Sequence, residues 1–184
     1  MEKKVKILIL IVFILIGGAF YFLKFSKKSE KVYTEISQQK LMKLKSPAFG
    51  ENQPIPKKYT CDAENINPPL EIEGIPEKAK SLVLIVDDLD TPGGGFSHWI
   101  VWNIDPKISK IEENSKPGIE GINDFGENSY GGPCPPFGVH RYRFKIYALD
   151  TLLEISTSSK KTDVEKSIQG HVLDFAQLVG TYQR

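Results

Sequence analysis

The chain is poor in the residues from which metal and redox centres are built: three histidines, two cysteines and two methionines in 184 residues. The histidines at 98, 140 and 171 show no HxH or HxxxH spacing, and Cys61 and Cys134 stand alone, so no metal site is expected. Net charge is also scarce. The formal charge is +1, but residues 1–30 hold six lysines and two glutamates, which leaves residues 31–184 with 18 basic and 21 acidic residues, net −3. A domain of that sign is not expected to bind nucleic acid. There is no like-charge tail, internal repeat or low-complexity tract.

Only one segment is long and unbroken in its apolar character. Lys3, Lys4 and Lys6 precede the run Ile7–Leu23, whose length is at the short end for a spanning helix. Two readings compete for residues 1–23: a signal-anchor contacting the membrane through 7–23, or a signal peptide cut after Ala19. No cysteine follows the run, so a lipoprotein anchor is excluded. Lys24, Lys27 and Lys28 flank the far side, so flanking charge does not set the orientation. Either main reading exports the rest: a single-pass protein of the cell membrane with its domain outside, or a secreted one. In that setting Cys61 and Cys134 could form one disulfide.

Residues 24–40 read as a polar tether, and the domain as 41–184. A first strand is expected near Leu41–Leu44. The stretch Ser81–Val86 is apolar, β-branched and short, as in a strand buried on both faces. In His98–Ile104, Ile100 and Trp102 face one way, and Trp99 and Val101 the other. Arg141–Ala148 alternates, with Tyr142, Phe144, Ile146 and Ala148 inward and Arg141, Arg143 and Lys145 on a wet face. Residues 109–128 lack periodicity and read as a long loop. One helix is expected late, capped by Thr162 and Glu165, with Val164, Ile168 and Val172 as its apolar stripe and His171 on it. A strand over about 176–182 closes the chain.

Two segments carry the chemistry. Asp88-Leu89-Asp90-Thr91-Pro92 is followed by His98-Trp99. Gly131-Gly132-Pro133-Cys134-Pro135-Pro136 is followed by His140-Arg141-Tyr142. Asp88 and Asp90 share strand parity and are expected to orient histidines by accepting from one ring nitrogen. Gly131 and Gly132 would offer backbone N–H donors in a nest-like turn, and the prolines would stiffen the rim. Together these groups read as a small anion pocket, with anion binding weakening as pH rises past the histidine range. Asp87 reads as capping or solvating a strand end.

These two segments resemble the signature regions of the phosphatidylethanolamine-binding protein family, also called Raf-kinase-inhibitor-like proteins. The stretches Tyr59-Thr60-Cys61-Asp62, Asn67-Pro68-Pro69-Leu70 and Gly180-Thr181-Tyr182 are similar to its bacterial and archaeal branch. The resemblance implies a mostly β fold, with a large antiparallel sheet packed on a smaller one. It also implies a shallow pocket for a phosphate or phospholipid head group. By motif, Asp88, Asp90, Pro92, His98, Gly132, Pro133, His140 and Tyr142 are the binding candidates. Leu89 replaces the usual proline and Ala63 a usual glycine. The chain's ending differs from that of eukaryotic members, so their lid and partner functions do not transfer.

A hydrolase acting on small phospho- or carboxyl-esters is the main rival. Ser97 and Cys134 are the nucleophiles nearest the histidines in sequence, but neighbours in a strand point to opposite faces. A kinase or protease inhibitor acting by protein contact rests on family analogy alone. The expectation is therefore a binding module with no catalytic residue and no cofactor; the sequence names no protein partner.

Overall fold

The structure, a computed structural model, describes residues 41–92 and 95–184. The expected anchor or signal (1–23) and tether (24–40) lie outside the described residues. Among the described residues no helix is long and apolar enough to cross a membrane.

Nine strands and one α-helix are described. In chain order they are β1 (Lys43–Lys45), β2 (Gln53–Pro54), β3 (Leu70–Glu73), β4 (Ser81–Asp88), β5 (Phe96–Ile104), β6 (Lys110–Ile111), β7 (Ile119–Glu120), β8 (Val139–Leu149), α1 (Lys161–Ser167) and β9 (Val172–Gln183). Six strands form one sheet in the order β2-β9-β8-β4-β5-β7, and three form a second in the order β1-β3-β6. All pairings are antiparallel except β2 with β9. The fold is thus mostly β, with two sheets and one helix.

The apolar run Leu82–Val86 of β4, which lies between β8 and β5, has no polar side because both of its faces are covered. Leu82, Leu84 and Val86 join Leu44, Leu70, Ile72 and Ile111 of the small sheet in the main core. Val83 and Ile85, of opposite parity, pack with Leu153, Val164 and Ile168 on the other side. β5 divides the same way: Trp99 and Val101 enter the main core, Ile100 and Trp102 the second one. Each fully buried aliphatic side chain contributes about 2 kcal/mol, and β4 alone supplies five. Tyr142, Phe144, Ile146 and Ala148 of β8 face the main core.

Several boundaries differ from the sequence reading. The helix stops at Ser167, and Gly170 adopts φ +81°, a left-handed conformation that turns the chain into β9. Val172 is therefore an exposed strand residue, and His171 lies in the turn before β9, 2.8 Å from Asp150. The helix starts at Lys161, where the Lys160 N–H donates to Asp163; Thr162 and Glu165 do not form the cap. The unperiodic stretch 109–128 contributes the short strands β6 and β7.

Candidate functional site

Asp88 ends β4, opposite Tyr142 of β8 and Phe96 of β5. Its Oδ2 lies 2.7 Å from His140 Nδ1, and its Oδ1 accepts the Asp90 N–H at 2.9 Å. Asp88 and His140 are both nearly buried, at 3% and 6% exposure. A carboxylate on Nδ1 makes that nitrogen the protonated one and leaves Nε2 for another partner.

His98 reaches the same place by a different route. In β5 the register runs from Val86↔Trp99 to Asp87↔Ser97, skipping His98. This β-bulge lets His98 leave the strict alternation and turn toward the row of Asp88 and Tyr142. The His98 ring lies 5.1 Å from the Tyr142 ring, edge-on, and 5.4 Å from Phe96. Its Nδ1 lies 2.6 Å from the Gly131 carbonyl, and the Gly131 N–H donates back to the His98 carbonyl at 2.9 Å. A carbonyl only accepts, so His98 Nδ1 carries the proton. Burial depresses the His98 pKa, more than the Gly131 carbonyl and the Asp88 charge restore it. The neutral ring therefore presents Nε2 as an acceptor.

The Tyr142 ring lies near both imidazoles, 5.1 Å from His98 edge-on and 6.4 Å from His140, stacked. Its hydroxyl is buried without a hydrogen-bond partner. Burial first, then the Asp88 charge, push its pKa up, so it stays a donor. Asp88 and the Cys134 backbone bias its ionisation, but neither bonds it in acceptable geometry. Among the described residues the hydrogen bonds of both imidazoles run through Nδ1, and the Gly132 backbone also acts on His98, raising its pKa. One orphan donor thus stands beside two imidazoles with no hydrogen bond at Nε2.

Two expected roles are corrected. Asp90 orients no histidine. Its carboxylate accepts from the backbone N–H, Nε and Nη2 of Arg141 at 2.8, 3.0 and 2.6 Å, and this bonding holds its pKa down at about 2. The glycine N–H groups are not free for an anion either. Gly131 donates to His98, and Gly132 donates to Asn65 Oδ1 at 2.7 Å. A Cβ at Gly132 would lie 2.6 Å from both Asn65 Oδ1 and the Tyr59 carbonyl, so glycine is required there for close approach. The Pro133 carbonyl accepts from Cys61 N–H. Pro92 is exposed in the turn beyond β4 and serves by fixing φ there.

Cys61 and Cys134 are joined in a disulfide. With Asn65, Phe125, Glu127, Gly131 and Gly132 they line a cavity of about 150 Å³, adjoining His98 through Gly131 and the Phe125 ring at 5.2 Å. A larger hollow of about 270 Å³ lies beyond Asn65. Its buried polar side chains are already bonded, Glu120 to Trp99 and Lys116 and Asn67 to Glu112, Pro68 and Ser115. Neither sequence-nearest nucleophile is free: the Ser97 hydroxyl donates to Asp124, and Cys134 is in the disulfide. Among the described residues no group of three or more His, Cys, Asp or Glu is placed to hold a metal ion.

Asn65, Phe96 and Phe125 belong to this site, and no sequence pattern marks them. Gly131, expected as a donor to the ligand, belongs to it instead through its carbonyl on His98. Asp87, expected to cap or solvate a strand end, is fully buried on the opposite face. It pairs with Arg143 at 2.8 Å and Lys161 at 2.7 Å. Arg143 and Lys145 therefore do not form the simple wet face expected of β8.

Comparison with known proteins agrees with this architecture. A UPF0098 protein of Pyrococcus horikoshii is 49% identical over 157 residues, 80% of this chain and 79% of that one. A crystal structure of a phosphatidylethanolamine-binding protein homologue from Chlamydia trachomatis superposes with TM-score 0.76 at 42% identity, covering 78% of this chain and 98% of that one. Escherichia coli YbcL, described as a new member of the mammalian family, gives TM-score 0.74 at 26% identity over 79% and 99% of the two chains. The model of the family described as phosphatidylethanolamine-binding protein matches residues 45–183, and the chain belongs to that family.

Proposed function

We propose that the domain binds a small oxyanion that carries a proton, of the phosphate or phosphomonoester class, free or as the monoester head group of a lipid. The observation that carries this reading is the orphan hydroxyl of Tyr142, whose ring lies beside both His98 and His140. A buried donor without an acceptor costs about 1–3 kcal/mol, and a bound oxyanion would supply the acceptor. The neutral His98 Nε2 needs a donor in return, which a phosphate with one proton provides near neutral pH. Asp88 repels any anion; a proton on His140 or on the ligand offsets that repulsion.

The reading is of a binding site, not a catalytic one, since Ser97 and Cys134 are both committed elsewhere. Titration of the full chain with inorganic phosphate and with phosphoethanolamine tests it. Binding of both is expected at pH 6 and lost in His98→Ala; phosphoethanolamine should weaken as pH rises through about 6, where a monoester loses its last proton, more than inorganic phosphate, which keeps one proton there. Affinity that is unchanged in His98→Ala would overturn it.

The same proposal places the domain outside the cell, tethered by the apolar run Ile7–Leu23 or released after cleavage at Ala19. Amino-terminal sequencing of the exported protein separates these two; recovery in the cytosol would contradict both.

A further inference from the structure

The Cys61–Cys134 disulfide is part of the wall of the site. It joins residues 73 apart in sequence. Both cysteines line the cavity that adjoins His98, and both are partly exposed, so a small thiol reagent can reach them.

The wall they close is thinly held. Pro133, Pro135 and Pro136 have no N–H and donate no hydrogen bonds. The ties of Gly131–Pro136 to the rest of the domain are few. Gly131 exchanges bonds with His98, Gly132 donates to Asn65, and Pro133 accepts from Cys61 at 3.2 Å. The disulfide is the covalent member of that set. The Gly131 carbonyl that fixes the His98 tautomer sits three residues from Cys134. Asn65, which holds Gly132, sits four residues from Cys61. The adjoining Tyr59 and Tyr130 enter the main core, and the Tyr130 hydroxyl donates to the Tyr59 carbonyl at 2.9 Å, so the two segments keep a non-covalent tie when the disulfide is broken.

We infer that the disulfide is a redox control on the anion site: oxidised, it holds the Gly131 carbonyl against His98; reduced, it releases that wall and weakens binding. This rests on the binding reading above. The chemistry is thiol–disulfide exchange with an external dithiol. The dithiol gives two electrons and two protons, the sulfur–sulfur bond breaks to the Cys61 and Cys134 thiols, and the dithiol closes to its own disulfide. By linkage, whatever factor reduction removes from ligand affinity, bound ligand returns as resistance to reduction.

The test uses the full chain and inorganic phosphate. Binding is measured on the oxidised protein, on protein reduced with dithiothreitol until two thiols titrate, and on the C61S/C134S variant. Reduced protein and the double variant are expected to bind on the order of tenfold more weakly, within the usual range of coupling between sites. Phosphate is expected to shift the dithiol equilibrium toward the disulfide by the same factor. In nitrogen NMR the protected His98 Nδ1–H signal should be lost on reduction while the His171 signal stays.

Equal affinity in oxidised and reduced protein would overturn the inference and leave the binding reading standing. Absence of phosphate binding in both would overturn the binding reading and the inference with it. If the double variant fails to fold, the reduced wild type decides. If reduction itself abolishes the near-ultraviolet signal of the buried tryptophans, the bond is a fold staple and the inference fails.

Discussion

Asp87 and Asp88 are neighbours at the end of one strand, and they point to opposite faces of it. Asp87 is enclosed by cations: Arg143 in a two-pronged contact at 3.0 and 2.8 Å, Lys161 at 2.7 Å, and Lys145 at 3.9 Å. Asp88 has a titratable imidazole and a backbone N–H, with an unpartnered phenol nearby. Burial acts to raise the Asp87 carboxyl, but Arg143 and Lys161, with Lys145, outweigh it and hold it below its ordinary value. The same residue type, one position apart, is thus saturated by cations on one face and held by neutral or titratable donors on the other. A saturated charge supports the fold. A buried polar row with an unpartnered donor, next to the Gly131 and Phe125 that line a cavity, has unmet hydrogen-bonding capacity, and a ligand can meet it.

The largest way to break this contrast is at Asp87. Asp87→Ala leaves Arg143 and Lys161 without their buried counter-charge, and it is expected to cost about 3 kcal/mol, read by urea unfolding. Phosphate affinity should change little in whatever fraction remains folded. Stability after Asp87→Ala within a few tenths of wild type would show that the cluster is not structural.

A second effect is the response to acid. The folded pKa values of Asp87 and Asp90 are depressed, so their stabilisation is present above the ordinary value of 3.8 and is lost as pH falls through the folded values, for Asp90 toward about 2. His98 is depressed too. Its stabilising contribution is present above the ordinary 6.5 and declines as pH falls below it. Thermal melts between pH 7 and 5 should show a fall in Tm that is absent in His98→Gln. A wild-type Tm that is flat over that range would contradict the buried neutral imidazole.

The smallest expected effect is at Asp90. Its pair with Arg141 is exposed, at 29% and 56% of the side chains, and exposed pairs contribute under about 1 kcal/mol. Asp90→Asn should leave phosphate affinity within about twofold, as expected for a residue that touches neither histidine. A large loss of binding would return Asp90 to the site.

Period and parity made much of this legible from sequence. The continuous apolar run of β4, the two-faced β5 and the alternating β8 appear with their expected faces, because central strands record burial directly in side-chain type. Parity failed where the strand stopped. Asp90 shares parity with Asp88 on paper, but β4 ends at Asp88 and the chain turns, so Asp90 meets Arg141 instead. The bulge at His98 left no trace, since His98-Trp99-Ile100-Val101-Trp102 reads equally well without it. The bulge is nevertheless what brings His98 onto the Tyr142 row. Pairings across long separations, such as Asp87 with Lys161 or Gly132 with Asn65, carry no local pattern. The two glycines were read as donors to a ligand because their conformational freedom was visible and their partners were not.

The most direct test of the open face is Tyr142→Phe. It deletes one oxygen that makes no hydrogen bond in the unliganded protein and leaves the ring packed against both imidazoles. The account predicts unfolding stability equal to or above wild type, with phosphate affinity weaker by about tenfold or more, as for a hydrogen bond to a charged group. Unchanged phosphate affinity in Tyr142→Phe would contradict it, and the row of Asp88, His98, His140 and Tyr142 would then be a feature of the fold alone.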